Sequence, residues 1–476
     1  MTSSAVIAAN RFGLGARPGE IADIGSDARD WLQQQIVTHG SLPAAIKTLP
    51  GSATAIQSYE GAQQALREAR KAAREQAGGS DNRNSDAAKK LIDSIRRQVA
   101  PVYLDQVAAR YQVAIASPDS FRERLVHFWA NHFAVSVDKI VVLALAGTLE
   151  NEAIRPHVAG SFTDMLLAVE SHPAMILYLD NETSIGPNSA LAQRAAKRAA
   201  RSNRKLDINE NLAREILELH TLGVNGGYTQ TDVTSFARVL TGWSLGGARG
   251  PLAEGTPGTF EFRENMHEPG AQTVLGKRYV DNGADQTRAV LKDLARHPAT
   301  ATHIATKLVR HFVADDPPAA AVEKVATVFR NTYGHLPDVH RAVIELSQAW
   351  QAMPQKFKTP HEFVISTFRA VNFVPDKDQQ IAAPFQLLGQ RPFTPGSPAG
   401  WPDTAAQWDG PDALLKRIEW ATQFGERMRA RVKPLEVADA ALGDALSERT
   451  RTAIARAESA AQGLTLLLAS PEFMRR

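Results

Sequence analysis

The sequence predicts a mainly α protein, a large multi-helix bundle-like domain with one small β-hairpin and a long Pro/Gly/Trp-rich surface loop. Apolar residues recur at three- and four-residue steps along most of the 476 residues, as they do on the buried face of a helix. Strand-type alternation is confined to one short region. Turn and N-cap signals, such as Pro18 with Gly19 and Ser26 with Asp27, stand before apolar runs.

Residues 1–120 are predicted to form an N-terminal helical region with a charged helical hairpin. Its arms are Gly61–Gln76 and Ser85–Ala116, which are rich in the helix-favouring residues Ala, Arg, Lys and Gln. The Gly- and Asn-containing segment Gly78–Ser85 is the expected tip. The charges of the two arms are typical of a solvated face.

Residues 121–380 are predicted to form a helical core that carries the motif helices and the β-hairpin. Phe121–Phe133 places its large apolar side chains on one broad side, which indicates a central helix. Further along, Asn209–Gly223 and Thr229–Leu240 are expected to form two helices joined by a glycine-rich turn. The strand signal Thr259–Arg263 has Thr273–Val280 as its expected partner.

Two other segments interrupt this helical pattern. Arg194–Lys205 is basic and lacks an apolar stripe, so we expect a mobile loop or an exposed helix, with an anion-binding flap as the alternative. In the third region, residues 381–476, Pro384–Gly410 is expected to be the long surface loop. C-terminal helices at Pro411–Arg429 and Glu448–Met474 are then expected to pack on the core.

Composition excludes several classes of protein. The 54 basic and 51 acidic residues leave a net charge of only +3, which gives no basic field for nucleic acid. The longest apolar run, Ile140–Ala146, is about a third of the ~20 residues that span a bilayer. The absence of cysteine excludes disulfides and thiol catalysis. As written the chain has no secretory signal and is expected in the cytoplasm, or in the periplasm if a leader has been removed, so the compartment stays open.

The helix Asn209–Gly223 is the leading candidate for chemistry, because its polar side chains form one continuous arc: Glu210, Asn211, Arg214, Glu215 and Glu218. Carboxylates with divergent proton affinities are what acid/base catalysis requires. We therefore predict Glu210, Glu215 and Glu218 as catalytic groups. The alternative is a ladder of surface salt bridges worth a few tenths of a kcal/mol each.

Three further side chains enter the predicted site, and one is set aside. His267 and Glu268, in the loop that follows the first strand signal, are predicted to complete the catalytic pocket, or else to belong to a structural turn. Trp401 is predicted to bind substrate by stacking on a sugar, or else to anchor the Pro-rich loop. Asn211 and Arg214 are predicted substrate-binding residues. His220 falls on the apolar side of its helix and is expected to be a hydrogen-bonded core histidine.

The sequence lacks the motifs that are typical of common cofactor sites and of catalytic nucleophiles. Glu215, Glu218 and His220 lack the spacing of a helix-borne zinc site, and no metal ligand is assigned. The chain has no Gly-x-Ser-x-Gly elbow and no Walker loop. No cofactor is predicted, and an interhelical metal site stays open as an alternative because many of the 13 histidines cluster in the middle of the chain.

The chain resembles, over nearly its full length, the bacterial family called domain of unknown function 1800. The motifs that carry this resemblance are Arg11–Gly15, Phe128–Phe133, Ile154–His157, His172–Met175, Tyr178–Asn181, Asn209–Glu215, Thr221–Gly223, Gly227–Gln230, Leu240–Trp243, His267–Gly270, Arg296–Thr300, Gly400–Asp403 and Ala469–Phe473. The resemblance implies a helical protein but no reaction. It also implies a neighbouring exported protein of the domain of unknown function 1501 family as partner. The family commonly has Asp where this chain has Glu268.

These observations together favour a hydrolase or lyase that uses a carboxylate acid/base cluster on a polar, glycan-like substrate. The alternative is a non-catalytic scaffold or maturation partner of an envelope protein, in which the polar helix only ties the helical body together. The two differ in what loss of the carboxylates does, because amide replacements would remove turnover in the first case and stability in the second.

Overall fold

The computed structural model describes residues 2–37, 42–62, 64, 84–198, 207–247, 255–375 and 378–476. Residues 78–83 of the predicted hairpin tip, nearly all of the first arm beyond residue 62, and residues 199–205 of the basic segment lie outside the described residues. The second arm is helical, and the basic segment begins in a helix that extends to Arg198.

The described chain is mainly α, which confirms the predicted class. The helices of the first half are α1 (Ser4–Ile7), α2 (Glu20–Ile24), α3 (Ala28–Val37), α4 (Ala44–Lys47), α5 (Asn84–Ala116), α6 (Ser120–His132), α7 (Ala146–Thr148), α8 (Phe162–Glu170), α9 (Pro173–Tyr178), α10 (Ala190–Arg198), α11 (Asn211–Glu215) and α12 (Gln230–Leu240). Residues 52–62 are also helical. Short π-helical turns follow α1, α7 and α11, at Ala8–Phe12, Leu149–Ile154 and Ile216–His220.

The second half continues with α13 (Ala284–Ala295), α14 (Pro298–Phe312), α15 (Ala319–Asn331), α16 (Leu336–Ile344), α17 (Pro360–Ala370), α18 (Asp378–Leu387), α19 (Pro411–Met428), α20 (Pro434–Leu442), α21 (Glu448–Ala455), α22 (Ala460–Leu468) and α23 (Pro471–Met474). The single helix predicted at Glu448–Met474 is wrong. Ser459 and Ser470 cap new helices there, and Pro471 occupies the first turn of the last one.

Two small antiparallel sheets replace the one predicted hairpin. Strand β1 (Trp243–Leu245) pairs with β2 (Phe260–Phe262), and β3 (Gln272–Val274) pairs with β4 (Lys277–Tyr279). The predicted pairing of Thr259–Arg263 with Thr273–Val280 is therefore wrong. The second segment folds back on itself, because Leu275 and Gly276 both take positive φ, as a tight two-residue hairpin turn requires.

Two clusters of buried apolar side chains form the interior. The first contains α3, α6, α8 and α12 to α16, with Phe12 packed between Phe121 and Phe312. The second contains the C-terminal half of α5 together with α17 to α23. The predicted division into residues 1–120, 121–380 and 381–476 stays a prediction. Among the described residues, no helix combines the length and apolar character that crossing a bilayer requires.

Candidate functional site

A cavity of about 460 Å³ lies between the two apolar clusters. Its walls come from α6, α14, the first turn of α17 and the loop that carries Trp401. Phe128 belongs to the first cluster and Ile365 to the second, and both residues line this space. The volume falls in the range of small-molecule sites, which is roughly 300–1,000 Å³.

A histidine and an aspartate form a hydrogen-bonded pair in the cavity wall. His311 of α14 has its Nδ1 2.6 Å from Oδ2 of Asp403. Since a carboxylate can only accept, Nδ1 carries the proton and Nε2 keeps its lone pair. Burial lowers the pKa of His311, so the ring is neutral at pH 7. Such an imidazole, oriented by a carboxylate, has the form of a general base.

The carboxylate of Asp403 stays ionised. Burial by itself raises the pKa of Asp403, but His311 and the cations Lys356 and Arg476 outweigh it and lower that pKa to about 2. Lys356 Nζ lies 3.4 Å from Oδ1, and Arg476 Nη2 lies 3.9 Å from the same oxygen. Asp403 therefore supplies a fixed negative charge behind the imidazole.

A second buried carboxylate closes the neighbouring wall. Glu362 is the third residue of α17, and its Oε2 accepts the backbone N–H of Thr359 at 2.8 Å in a capping box. Its Oε1 forms ion pairs with Arg124 and, at 2.7 Å, with Arg476 Nε. Burial alone would raise the pKa of Glu362, but these two guanidinium groups hold it well below its usual range.

The third cavity carboxylate, Glu150, is also paired. Its Oε2 accepts from Arg110 Nε at 2.7 Å, and Oε1 lies 3.6 Å from Arg155. Nearby, His361 Nε2 lies 2.9 Å from the hydroxyl of Tyr111. Burial lowers the pKa of His361 to about 3, so this ring adds no charge at neutral pH.

Two cations of the cavity wall have no such partner. Lys307 and Arg310 of α14 line the cavity, and neither lies within 4.0 Å of a carboxylate oxygen among the residues that the structure describes. Among the described residues, Arg310 donates only to the carbonyl of Asp315, at 3.3 Å. Burial lowers the pKa of Lys307 to about 8. With all three carboxylates already paired, the cavity has an excess of positive charge.

Trp401 forms part of the cavity wall, as does Asn131 of α6. The backbone N–H of Trp401 donates to Asn131 Oδ1 at 2.7 Å, and Asn131 Nδ2 returns a bond to Trp401 O at 2.9 Å. Gly400 has φ +84°, and a Cβ there would lie 2.2 Å from Asn131 O, so only glycine fits. The indole of Trp401 also packs on Trp408, with ring centroids 5.9 Å apart.

The predicted polar arc lies elsewhere, and none of its five residues lines the cavity. Glu210 accepts hydrogen bonds from Thr234 (2.7 Å), Gln230 (2.8 Å) and Arg214 (3.1 Å), and the bond from Thr234 is the main cause of its lowered pKa. Its side chain is 31% exposed, and that of Arg214 is 40% exposed. Asn211 is exposed.

Glu215 and Glu218 are half-buried on the same helix turn. Burial is the main cause that raises the pKa of Glu215, with Glu218 as a like charge nearby. The hydroxyl of Tyr228 is hydrogen-bonded to Glu218. Their predicted catalytic role stays a prediction. His220, by contrast, is buried with its Nδ1 2.7 Å from Glu170 Oε1, which confirms it as a hydrogen-bonded core histidine.

His267 and Glu268 are buried together, away from the cavity wall. His267 Nδ1 lies 2.7 Å from the carbonyl oxygen of Thr241. Both oxygens of Glu268 accept from Asn188, from its backbone N at 2.8 Å and from its Nδ2 at 2.5 Å. Glu268 therefore binds the neighbouring loop, and its predicted catalytic role also stays a prediction.

The part of the chain that the structure describes contains no group of three or more His, Asp or Glu side chains arranged to hold a metal ion. No sequence pattern points to Arg124, Lys307 or Glu362, His311 stands only among the clustered histidines, and Asp403 is only the end of a motif. One local signal exists, because Lys307 and His311 are four residues apart and thus on one helix face. The pairing of His311 with Asp403, 92 positions apart, has no local signal.

The family model described as "Protein of unknown function (DUF1800)" matches residues 7–475, and the chain belongs to that family. No curated protein and no solved structure matches the chain. The match covers every cavity-lining residue named above.

Proposed function

We propose that the protein is an enzyme of hydrolase or lyase type that holds a polar, negatively charged substrate in the cavity. The observation that carries the proposal is the position of Lys307 and Arg310, two cations without a carboxylate partner beside three carboxylates that are already paired. An anionic substrate group supplies the missing negative charge, and in a partly desolvated cavity that attraction is stronger than at the surface.

The pair His311 and Asp403 is the proposed acid/base group. With its Nδ1–H donated to Asp403, the imidazole takes a proton at Nε2 from the substrate or from a water molecule, and Asp403 stabilises the imidazolium that forms. Arg124 Nη1 lies 3.4 Å from Nε2 and favours the neutral ring before reaction. Trp401 offers an aromatic wall suited to the apolar face of a sugar ring, which supports a glycan-like substrate that carries a carboxylate or a phosphate.

The test is turnover of wild-type protein and matched variants on a panel of uronate-containing and phosphorylated oligosaccharides. His311→Asn is expected to lower kcat by about 10²- to 10⁴-fold, the usual contribution of a general acid–base group. His335→Asn is the control, because His335 Nδ1 also lies 2.6 Å from an aspartate, Asp338, but its side chain is 51% exposed. Equal turnover of His311→Asn and wild type would refute the assignment.

The same panel compares the cavity with the polar helix. If the arc is catalytic, Glu215→Gln and Glu218→Gln lower kcat while the melting temperature stays within about 1 °C of wild type, since half-exposed substitutions cost roughly 0.5 kcal/mol or less. If the cavity is the active centre, only His311→Asn lowers kcat, and the two glutamine variants keep the wild-type kcat. The predicted partner of the domain of unknown function 1501 family is tested separately by co-purification, where a stoichiometric complex supports it.

A further inference from the structure

Lys307 differs from the other charged groups of the cavity. It lies on α14 one turn before His311 and three residues before Arg310, and all three line the same space. Arg124 and Glu362 are fixed by ion pairs, and Asp403 is fixed by His311. Lys307 has no ion pair and no hydrogen bond among the described residues, so its Nζ is available to a ligand.

The surroundings of Lys307 shift its protonation equilibrium toward the neutral amine. Burial is the main cause that lowers its pKa to about 8, Asp403 raises that pKa, and the like charge of Arg310 lowers it further. About a tenth of the amine is then neutral at pH 7, against less than about a thousandth for a lysine with a pKa of 10.4. A lysine desolvated beside another cation is a recurring form of amine nucleophile.

We infer that Nζ of Lys307 is a nucleophile that condenses with an aldehyde or ketone carbon of an anionic substrate bound in the cavity. This inference rests on the proposed function and narrows the substrate class to carbonyl compounds that carry a carboxylate or a phosphate. The open-chain form of an oxidised or phosphorylated sugar has both groups. Arg310 is positioned to bind the anionic substituent while Lys307 reacts.

The step balances without a redox partner. The amine lone pair forms the C–N bond while the carbonyl π electrons move to oxygen, and one proton passes from the nitrogen to that oxygen to give a hydroxyl group. The second nitrogen proton goes to Nε2 of His311, which returns it to the hydroxyl group as the C–O bond breaks, the C=N bond forms and water leaves. One amine and one carbonyl thus give one imine and one water. The imine withdraws electrons from the adjacent carbon, which is the activation that a lyase needs.

Reductive trapping tests the inference on the full chain. Protein at pH 7.5 is incubated with glyoxylate and sodium cyanoborohydride, and peptide mass spectrometry measures the rate of carboxymethylation at each lysine. Lys292, exposed on α13, is the internal reference. We expect Lys307 to be modified at least tenfold faster than Lys292, with acetaldehyde as a neutral probe giving a smaller ratio. A Lys307 rate equal to or below that of Lys292 overturns the inference.

Two variants separate this inference from the proposed function. His311→Asn is expected to slow modification of Lys307 but not of Lys292, because only the first amine has the imidazole as proton acceptor. Lys307→Arg keeps the positive charge and removes the nucleophile, so turnover should be lost. If Lys307→Arg retains turnover while His311→Asn loses it, the nucleophile is refuted and the acid/base proposal stands. If both variants retain turnover, both proposals fail.

Discussion

Replacement of Asp403 by asparagine tests the charge balance of the cavity. The amide still accepts from His311 Nδ1 but removes the negative charge next to Lys356 and Arg476. Loss of one member of a buried ion pair costs about 3–5 kcal/mol. Lys356 keeps its other partner, Asp315, and Arg476 keeps Glu362, so we expect the lower end, about 3 kcal/mol.

The expected change in melting temperature follows from chain length. At about 2.1 cal/mol/K per residue, 476 residues have an unfolding entropy of about 1 kcal/mol/K. A loss of about 3 kcal/mol then lowers the melting temperature by about 3 °C in scanning calorimetry. The variant is also more cationic at the cavity, so added phosphate should raise its melting temperature more than that of wild type.

Asp409→Asn is the matched control for this measurement, because Asp409 lies in the same loop but is exposed, and it should melt within about 0.5 °C of wild type. The reasoning fails if Asp403→Asn melts at the wild-type temperature. It also fails if phosphate stabilises the variant and wild type equally, since the cavity would then not be the place where the anion binds.

Three other outcomes are expected. Trp401→Ala should weaken binding of a sugar ligand about tenfold in isothermal titration calorimetry. Trp408→Ala, which leaves a cavity where a buried indole was, should mainly cost about 3–5 kcal/mol of stability. Equal effects of the two variants on binding would contradict a role of Trp401 in stacking on the sugar. Glu268→Gln should cost about 1–3 kcal/mol in denaturant unfolding with kcat unchanged, because the new amide nitrogen cannot accept the hydrogen bond that one donor of Asn188 makes to the carboxylate. A fall in kcat alone would instead support the predicted catalytic role. Burial lowers the pKa values of His340 and His361 to about 3, so between pH 6.5 and 3 the unfolded chain binds more protons than the folded chain. As the pH falls through this range, each histidine lowers the free energy of unfolding by up to about 1.4 kcal/mol per pH unit. His340→Gln should reduce the slope of unfolding free energy against pH by that amount, and an unchanged slope would contradict this reasoning.

Local sequence patterns were sufficient to predict most of the helices and the burial of His220. Apolar spacing depends only on neighbours three and four residues away, so the predicted Phe121–Phe133 helix appears as α6 with nearly the same bounds. The same periodicity placed His220 on the apolar face, where it is buried against Glu170. The strand pairing was predicted wrongly for a different reason. The pairing of β1 with β2 depends on which strands are close in space, and local spacing in the sequence does not show this.

The cavity could not be predicted in this way. Its walls come from segments as distant as Arg110 and Asp403, and each charged side chain there is ordinary in its own stretch of sequence. The polar arc of Asn209–Gly223 was predicted as the site because many charged residues stand close together in the sequence. The number of charges in a segment does not show whether their side chains are buried or exposed to solvent. Glu210 and Arg214 are 31% and 40% exposed and hydrogen-bonded to each other, whereas His311 and Asp403 form a less exposed pair, at 13% and 22%.

The sequence by itself determined the helical class, the family and the apolar faces, because each depends on short-range spacing or on a contiguous motif. Only the tertiary structure decided which charges lose water and which partners neutralise them. That difference is physical: a carboxylate or an amine has an ordinary pKa until burial and a distant partner change it. Lys307 became a candidate nucleophile for that reason, since its environment is built by α6, α14 and the loop of Asp403 together.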